Sequence, residues 1–468
     1  MTNRAIARLA AVFVALFVVL AVREAWVQLV AGPAIAAKPY NPRHALLDQA
    51  RGRILGTDGS VLAATQGNVR VYPLGESLAQ TLGYVSARYG TSGIEDAYDR
   101  ALTPADTTGD PLAQFGEIVS SLQGKATVSR GADVVTTIVP AIQNELWDRL
   151  SSYSRAAAVV LDPRSGAILA LASVPSYDPN HIDRIFADLS TDPQSPLIDR
   201  AIDGLYPPGS TFKIFTAATA LDSGAVTMDQ RFDDPGYYTI GDFTLHDDDS
   251  EGPAGYQDIT GAFALSSNVI FGQIALKIGT DAFYDYLSRW GLGNSLDFQL
   301  PAQAGRIPDK ASIVPGELAQ MGFGQGALLM TPLQMALIAA TIANGGNEPR
   351  PYIVRQIVRD GSAAVVTSPE TLASPISADT AANVKKMMVA VVQRGTGTVA
   401  RLSDVQVAGK TGTATNPHGR AHSWFVCFAP ADHPRVAVAV IVENGGYGAA
   451  VAAPIARDVL RVALESVN

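Results

Sequence analysis

Cysteine is nearly missing from this chain. A single residue, Cys427, in 468 leaves no intrachain disulfide and no cysteine-based metal site. Such poverty is compatible with an oxidising compartment without requiring one. Histidine is scarce as well, with six residues, and neither H-E-x-x-H nor a Ser-His-Asp order is present. Clustered positive charge is also lacking. The net charge is −9 and no Lys/Arg patch occurs, which removes the phosphate neutralisation that nucleic-acid binding requires. No heptad, solenoid period or low-complexity tract is seen. What is present is apolar: 47% hydrophobic content can bury a large core, and length alone suggests about two or three domains.

The N-terminus is the most apolar stretch. Arg4 and Arg8 precede fourteen unbroken apolar residues, Leu9 to Val22, closed by Arg23-Glu24, with Trp26 beyond. Fourteen falls short of the roughly 20 residues that span hydrocarbon. Snorkelling of Arg8 and Arg23 and the apolar flanks make up the difference. Residues 1–30 are therefore expected to be a cytoplasmic tip and single-pass anchor in the plasma membrane, with the rest of the chain outside. A cleaved signal peptide competes, because Ala34-Ile35-Ala36 resembles a cleavage site. Either reading exports the bulk of the chain.

Residues 31–131 are glycine-rich and polar-interrupted, with strand-like pieces such as Val69 to Tyr72. From 132 onward the pattern is denser. Asp133 to Ile138 reads as a strand, and Pro140 to about Ser151 as a helix opened by proline. Ala156 to Leu161 and Ala167 to Val174 form an apolar hairpin around Asp162-Pro163-Arg164-Ser165-Gly166. Helices and loops alternate from Ser210 to about Ala343. Strands return at Gln406 to Ala408, Ser423 to Phe428 and Arg435 to Val442, and a closing helix spans Ala453 to Glu465. The expected fold is mixed α/β, with one mostly antiparallel sheet assembled from distant segments and flanked by helices.

Three polar motifs interrupt this apolar text. In Tyr206-Pro207-Pro208-Gly209-Ser210-Thr211-Phe212-Lys213 a hydroxyl and an amine stand three residues apart where a helix should begin. Positions i and i+3 share a helix face, and a helix start favours an oxyanion. Ser266-Ser267-Asn268 lies between two apolar runs; alone it fits a helix cap or inter-helix turn as well as a functional site. Lys410-Thr411-Gly412-Thr413 places a glycine in a strand pattern, which marks either close backbone approach or a strand-turn boundary.

Together and in this order the three resemble the S-x-x-K, S-x-N and K-T-G signature of penicillin-binding proteins and serine β-lactamases. The chain is similar to the class B penicillin-binding proteins, and specifically to their short actinobacterial subgroup. Further matching text includes Ser176-Tyr177-Asp178-Pro179-Asn180, Gly324-Gln325-Gly326, Thr331-Pro332-Leu333-Gln334-Met335, Gly395-Thr396-Gly397-Thr398 and His422-Ser423-Trp424-Phe425. Arg51-Gly52-Arg53-Ile54 and Gly93-Ile94-Glu95 resemble that family's pedestal, or dimerisation-type, domain.

The resemblance implies a pedestal at 31–131 and a transpeptidase domain of the β-lactamase/D,D-peptidase type at 132–468. It implies a D,D-transpeptidase that cross-links peptidoglycan stem peptides through an acyl-enzyme on Ser210 and is trapped by penicillin. Lys213 is the implied base, and it must be partly neutral for that. Ser266 is the implied proton relay, Asn268 the holder of Lys213 and of the substrate amide, and Lys410 the second cation. Lys410, Thr411 and Thr413 are implied to attract the substrate carboxylate, and the N–H groups of Ser210 and Thr413 to form the oxyanion hole. Gly412 is implied to keep the strand clear for substrate. No cofactor or metal is expected. The implied partners are D-Ala-D-Ala donor and amine acceptor stem peptides, β-lactams, the membrane and a SEDS-type glycan polymerase. A D,D-carboxypeptidase and a non-enzymatic β-lactam sensor or scaffold are the alternatives. S-x-N in place of S-x-V, and the lack of Y-G-N and E-x-x-L-N segments, argue against a β-lactamase.

Three other candidates carry less. His246-Asp247-Asp248-Asp249-Ser250-Glu251, flanked by glycine and proline, is expected to be a solvated acidic loop. His418 and His422 lie on a loop rather than a helix, against a zinc site. Cys427, among Trp424, Phe425 and Phe428, is expected to be a core residue.

Overall fold

The structure, a computed structural model, describes residues 13–23, 26, 51–104, 130–247, 252–417 and 419–467. Of the expected anchor, residues 13–23 are helical and exposed, with Phe13 and Phe17 among the exposed side chains. No helix among the described residues is long and apolar enough to cross a membrane. Ala34-Ile35-Ala36 lies outside them.

Strands β1 (Ile54–Leu55), β2 (Val61–Gln66) and β3 (Val69–Val71) open the pedestal region. Short helices at Ala79–Leu82, Gly93–Ala97 and Asp99–Leu102 follow, in text where only strand-like pieces stood out. The R-G-R-I and G-I-E segments meet through one buried carboxylate. Glu95 accepts from Arg51 Nε and Arg70 Nε, both at 2.7 Å, and Arg51 also reaches Asp99 at 2.6 Å. A buried acid with two guanidinium partners is satisfied only in this arrangement, so the three segments are fixed together.

Strand β4 (Asp133–Thr136) and helix α1 (Pro140–Leu150), whose first residue is the expected proline, come next. Strands β5 (Ala156–Leu161) and β6 (Ile168–Val174) are buried along their whole length. Among the helices that follow, four build the site: α2 (Lys213–Asp222), α3 (Ile259–Leu265), α4 (Asn268–Ile278) and α5 (Pro332–Ala343). A hairpin of Tyr237–Ile240 with Phe243–His246 interrupts them. Then come β7 (Val354–Arg359), β8 (Ser362–Val366), helix α6 (Ala378–Arg394), strands β9 (Ala408–Ala414), β10 (His422–Ala429) and β11 (Val436–Val442), and the closing helix α7 (Ala452–Ser466).

The five-stranded sheet has the order β9-β10-β11-β5-β6 and is antiparallel throughout. Because side chains alternate across a strand, the sheet separates two cores. Ala157, Val159 and Leu161 face α2 and α5, while Ala156, Ala158 and Val160 face α1 and α7. This two-sided burial explains why the strands read as unbroken apolar runs rather than alternating ones. Strand β9 starts at Ala408 and extends through Lys410 to Thr413, so the K-T-G-T motif is strand rather than a strand ending. It is an edge strand that pairs only with β10.

A second, six-stranded sheet has the order β8-β7-β4-β1-β2-β3. Ile54 pairs in parallel with Val134, and Val134 in antiparallel with Ile357. Gly52 makes room for it: a Cβ there would sit 1.9 Å from the Ala132 carbonyl oxygen. The pedestal strands are thus continuous with strands of the catalytic region.

Candidate active site

The nucleophile segment is not yet α-helix. Gly209–Phe212 is a 3-10 turn, and α2 proper begins at Lys213. Gly209 has φ +53°, a left-handed conformation that glycine adopts without strain. A Cβ there would also meet Ala414 Cβ at 3.0 Å. The turn is tied on three sides. Gly209 N–H donates to the Gly324 carbonyl (2.9 Å), Trp424 Nε1 donates to Pro207 O (3.1 Å), and Thr211 Oγ1 donates to Pro208 O (2.6 Å). Ser210, half-buried, therefore sits on a rigid turn pressed against β9 and β10.

Ser266 and Ser267 form the junction between α3 and α4. Ser266 ends α3 in the left-handed conformation, φ +67°. Ser267 caps α4, its Oγ accepting from Ile270 N–H at 2.9 Å. The triplet is an inter-helix turn, and it also meets two lysines. Lys213 Nζ donates to the Ser266 carbonyl, to Asn268 Oδ1 (2.8 Å) and to Ser266 Oγ (3.3 Å). Lys410 Nζ reaches the same Ser266 Oγ at 2.8 Å and Thr411 O at 3.2 Å. Both lysines are fully buried, each over an aromatic ring: Lys213 over Phe271 and Lys410 over Phe263, both at 5.6 Å.

From β9, Thr411 is buried and shares a short hydroxyl–hydroxyl hydrogen bond with Thr396, 2.5 Å, in the G-T-G-T segment after α6. Thr413, half-buried, accepts from Gly448 N–H at 3.5 Å. A Cβ on Gly412 would meet Thr211 Cγ2 at 2.9 Å, Trp424 Cβ at 3.0 Å and Pro208 O at 3.2 Å. That position is crowded by the serine turn itself, the close backbone approach that a strand glycine marks. A cleft of ≈ 340 Å³ brings together Ser210, Asn268 and Thr413 with His246, Asp247, Phe323 and Gln325.

Asp247 was the residue that sequence reasoning missed. It stands at the end of the Phe243–His246 strand, and the acidic run was read as a solvated loop. Instead its Oδ1 accepts from the N–H groups of Asn268 (2.6 Å) and Val269 (3.1 Å), and burial together with Asp234 holds its carboxyl up at about 6. Residues 248–251 of that run lie outside the described residues. The only signal available was that Asp247 directly follows an alternating strand. His418 also lies outside them, whereas His422 accepts from Asn444 N–H (3.1 Å) and burial lowers its pKa. Cys427 is fully buried, which pushes its thiol well up.

The model of the penicillin-binding protein transpeptidase domain matches residues 156–461, and that of the penicillin-binding protein A dimerisation domain matches 51–134. The chain is 36% identical over 497 residues to the peptidoglycan D,D-transpeptidase PbpA of Mycolicibacterium smegmatis, covering 99% of each. It belongs to the class B penicillin-binding proteins. Solved structures agree with this. Penicillin-binding protein A of Mycobacterium tuberculosis, as its ceftriaxone acyl-enzyme, gives a TM-score of 0.80 at 34% identity, covering 90% of this chain and 100% of that one. Its penicillin G acyl-enzyme gives 0.79 at 34%, covering 89% and 100%. As a member of this family the chain is a serine-type peptidoglycan D,D-transpeptidase of the mycobacterial PbpA kind.

Proposed function

We propose that Ser210 carries the acyl group in this transpeptidation, that Lys213 and Ser266 move its protons, that Asn268 holds Lys213 and the substrate amide, and that Lys410 is the second cation. The observation that carries the proposal is the convergence of both buried lysines on one hydroxyl, Ser266 Oγ, beside the Ser210 turn. A hydroxyl has one proton to donate, so it can give it to either amine only if that amine is neutral. Lys213 meets two carbonyl-type acceptors, Ser266 O and Asn268 Oδ1, which use two N–H groups. In its neutral form this leaves one lone pair to take a proton. Burial, and a second cation across the same hydroxyl, both oppose a second positive charge there.

Ser210 Oγ attacks the penultimate D-Ala carbonyl of a donor stem peptide, and Lys213 takes the hydroxyl proton. Backbone N–H groups of Ser210 and Thr413 receive the oxyanion. Ser266, hydrogen-bonded to Lys410, passes its proton to the leaving D-Ala amine and regains one from the Lys213 ammonium across their 3.3 Å contact, while Thr411 and Thr413 with Lys410 hold the carboxylate. An acceptor amine from a second stem peptide then resolves the ester, with proton movements reversed. β-Lactams acylate the same serine. The domain limits 31–131 and 132–468, the membrane anchor over residues 1–30, an extracytoplasmic catalytic region and a SEDS-type polymerase partner complete the reading. The apolar run flanked by Arg8 and Arg23 supports the anchor.

Labelling with a fluorescent penicillin followed by intact-mass measurement is the test. One stable adduct on Ser210 is expected, absent in Ser210→Ala. A folded parent protein that never acquires the adduct would overturn the reading, and rapid loss of the adduct would mean hydrolysis rather than transfer.

A further inference from the structure

The first turn of α4 has unpaired N–H groups that something must satisfy. Ser267 Oγ takes one, from Ile270, and Asp247 Oδ1 takes two, from Asn268 and Val269. The side chain of Asn268 in turn holds Lys213 Nζ at 2.8 Å. The place of that amine is thus linked to Asp247 through a single helical turn.

The other oxygen, Asp247 Oδ2, is buried and has no hydrogen-bond partner among the described residues. Asp234 shares the start of α4 with it, and burial first, then the Asp234 carboxyl, raises the Asp247 pKa. Asp234 has its own set of donors: Ser267 Oγ at 2.6 Å, Gly236 N–H at 2.8 Å and Ala254 N–H at 3.1 Å. With three donors already aimed at it, Asp234 is the accepting member of the pair. A second charge at Asp247 would face it across a partly dry gap. A proton on Asp247 Oδ2 would remove the repulsion and give the orphaned oxygen a partner. Among the described residues the ionisable neighbours are Asp234, on the loop after Arg231–Phe232, His246 in the same cleft, and Lys213 behind Asn268.

We propose that Asp247 is a positioning residue for acyl transfer: as the proton-bearing member of a carboxyl pair with Asp234, it clamps the first turn of α4 and so sets Asn268 and the Lys213 amine. Below about pH 6 Asp247 supplies an acceptor toward the helix and a donor toward Asp234, and above it the pair carries a second charge that it holds at a cost. An asparagine supplies both, its Oδ1 to the two N–H groups and its Nδ2 to Asp234. The inference rests on Ser210 being the acylated residue.

The test is the full chain and its Asp247→Ala and Asp247→Asn variants, with acylation by a fluorescent penicillin resolved into a limiting rate and a half-saturating concentration, alongside thermal melting. Asp247→Ala is expected to lose about tenfold or more in the limiting rate, with half-saturation changed by less than about threefold, because a misplaced group costs rate rather than binding. Asp247→Asn is expected to keep its rate within about threefold of the parent and to melt about 2 °C higher near neutral pH. A folded Asp247→Ala that acylates at the parental rate overturns the proposal. So does an Asp247→Asn variant that is as slow as the alanine or melts lower than the parent, and this comparison stands even if the alanine variant fails to fold. A parent whose melting temperature falls on treatment with a chelator would hold a cation rather than a proton between the carboxyls, which also overturns it. Failure of the parent to label at all counts against Ser210 instead, and the melting comparison still decides the clamp.

Discussion

Ser266 is held in a conformation that L-residues avoid. A left-handed backbone costs a non-glycine residue roughly 1–2 kcal/mol, and glycine would relieve it. A serine kept at φ +67° with its hydroxyl within 3.3 Å of two lysines is a place where backbone preference and chemistry conflict. Ser266→Gly separates the two. The variant is expected to fold at least as stably as the parent, by thermal melting, yet to acylate with penicillin about 100-fold more slowly, within the range lost with a proton-transfer group. An unchanged acylation rate would leave Ser266 a cap and nothing more. Lys213→Ala is expected to be slower still. Because Lys213 is buried among polar partners, its loss leaves Ser266 O and Asn268 Oδ1 without a donor, so stability should fall by about 1–3 kcal/mol as well. The two variants therefore differ in the sign of their stability change while sharing a loss of rate.

Between elements, the serine turn and strand β9 are one device. Gly209 lies against Ala414, and Gly412 lies against Thr211 and Pro208, so the two segments approach more closely than side chains would permit. Gly412→Ala is expected to push the turn away. Thr211 and Trp424 can yield only a few tenths of an ångström, while the Pro208 carbonyl is backbone. A loss of about 1–3 kcal/mol in denaturant unfolding is expected from such overpacking, together with a fall in acylation rate of about tenfold or more. Much of this scale was legible in the sequence. A proline marked the helix start at Pro140, and apolar runs marked β5, β6, β10 and β11, because burial on both faces writes itself directly into composition. The lysine–serine contacts were accessible only through the three-motif order, since residues 213, 266 and 410 share no local pattern. Asp247 left no trace that separates a helix-capping acid from its solvated neighbours. The difference lies in a contact with residue 268, across the fold rather than along the chain.

At the scale of the whole molecule, the pedestal and the catalytic region share a sheet, while a set of buried charges holds the pedestal itself. That sheet was not legible, because β1, β4 and β7 come from residues 54, 133 and 354 and are two to six residues long. Short strands paired over such separations have no periodicity of their own to detect. Glu95→Gln should expose how much the pedestal depends on charge: it leaves two buried guanidinium groups sharing a neutral side chain, with Asp99 the carboxylate still on Arg51, and a stability loss of about 3 kcal/mol or more is expected by denaturant unfolding. At the seam, Asp199 of the catalytic region accepts from pedestal Thr81 Oγ1 at 3.4 Å and from Ala201 N–H at 3.1 Å. Burial, then Asp203, raises its carboxyl to about 7. An acid whose pKa is raised on folding binds its proton more tightly in the native state. Its contribution to stability is present in full below the ordinary carboxylate range and is lost as pH rises from about 4 through about 7. Asp199→Asn removes the ionisation while keeping an acceptor for Ala201 and a polar partner for Thr81. Relative to the parent, its melting temperature is expected to rise by about 3 °C at pH near 8 and to change little at pH near 5. An equal shift at both pH values would mean that packing, and not the charge on Asp199, governs the seam between the two regions.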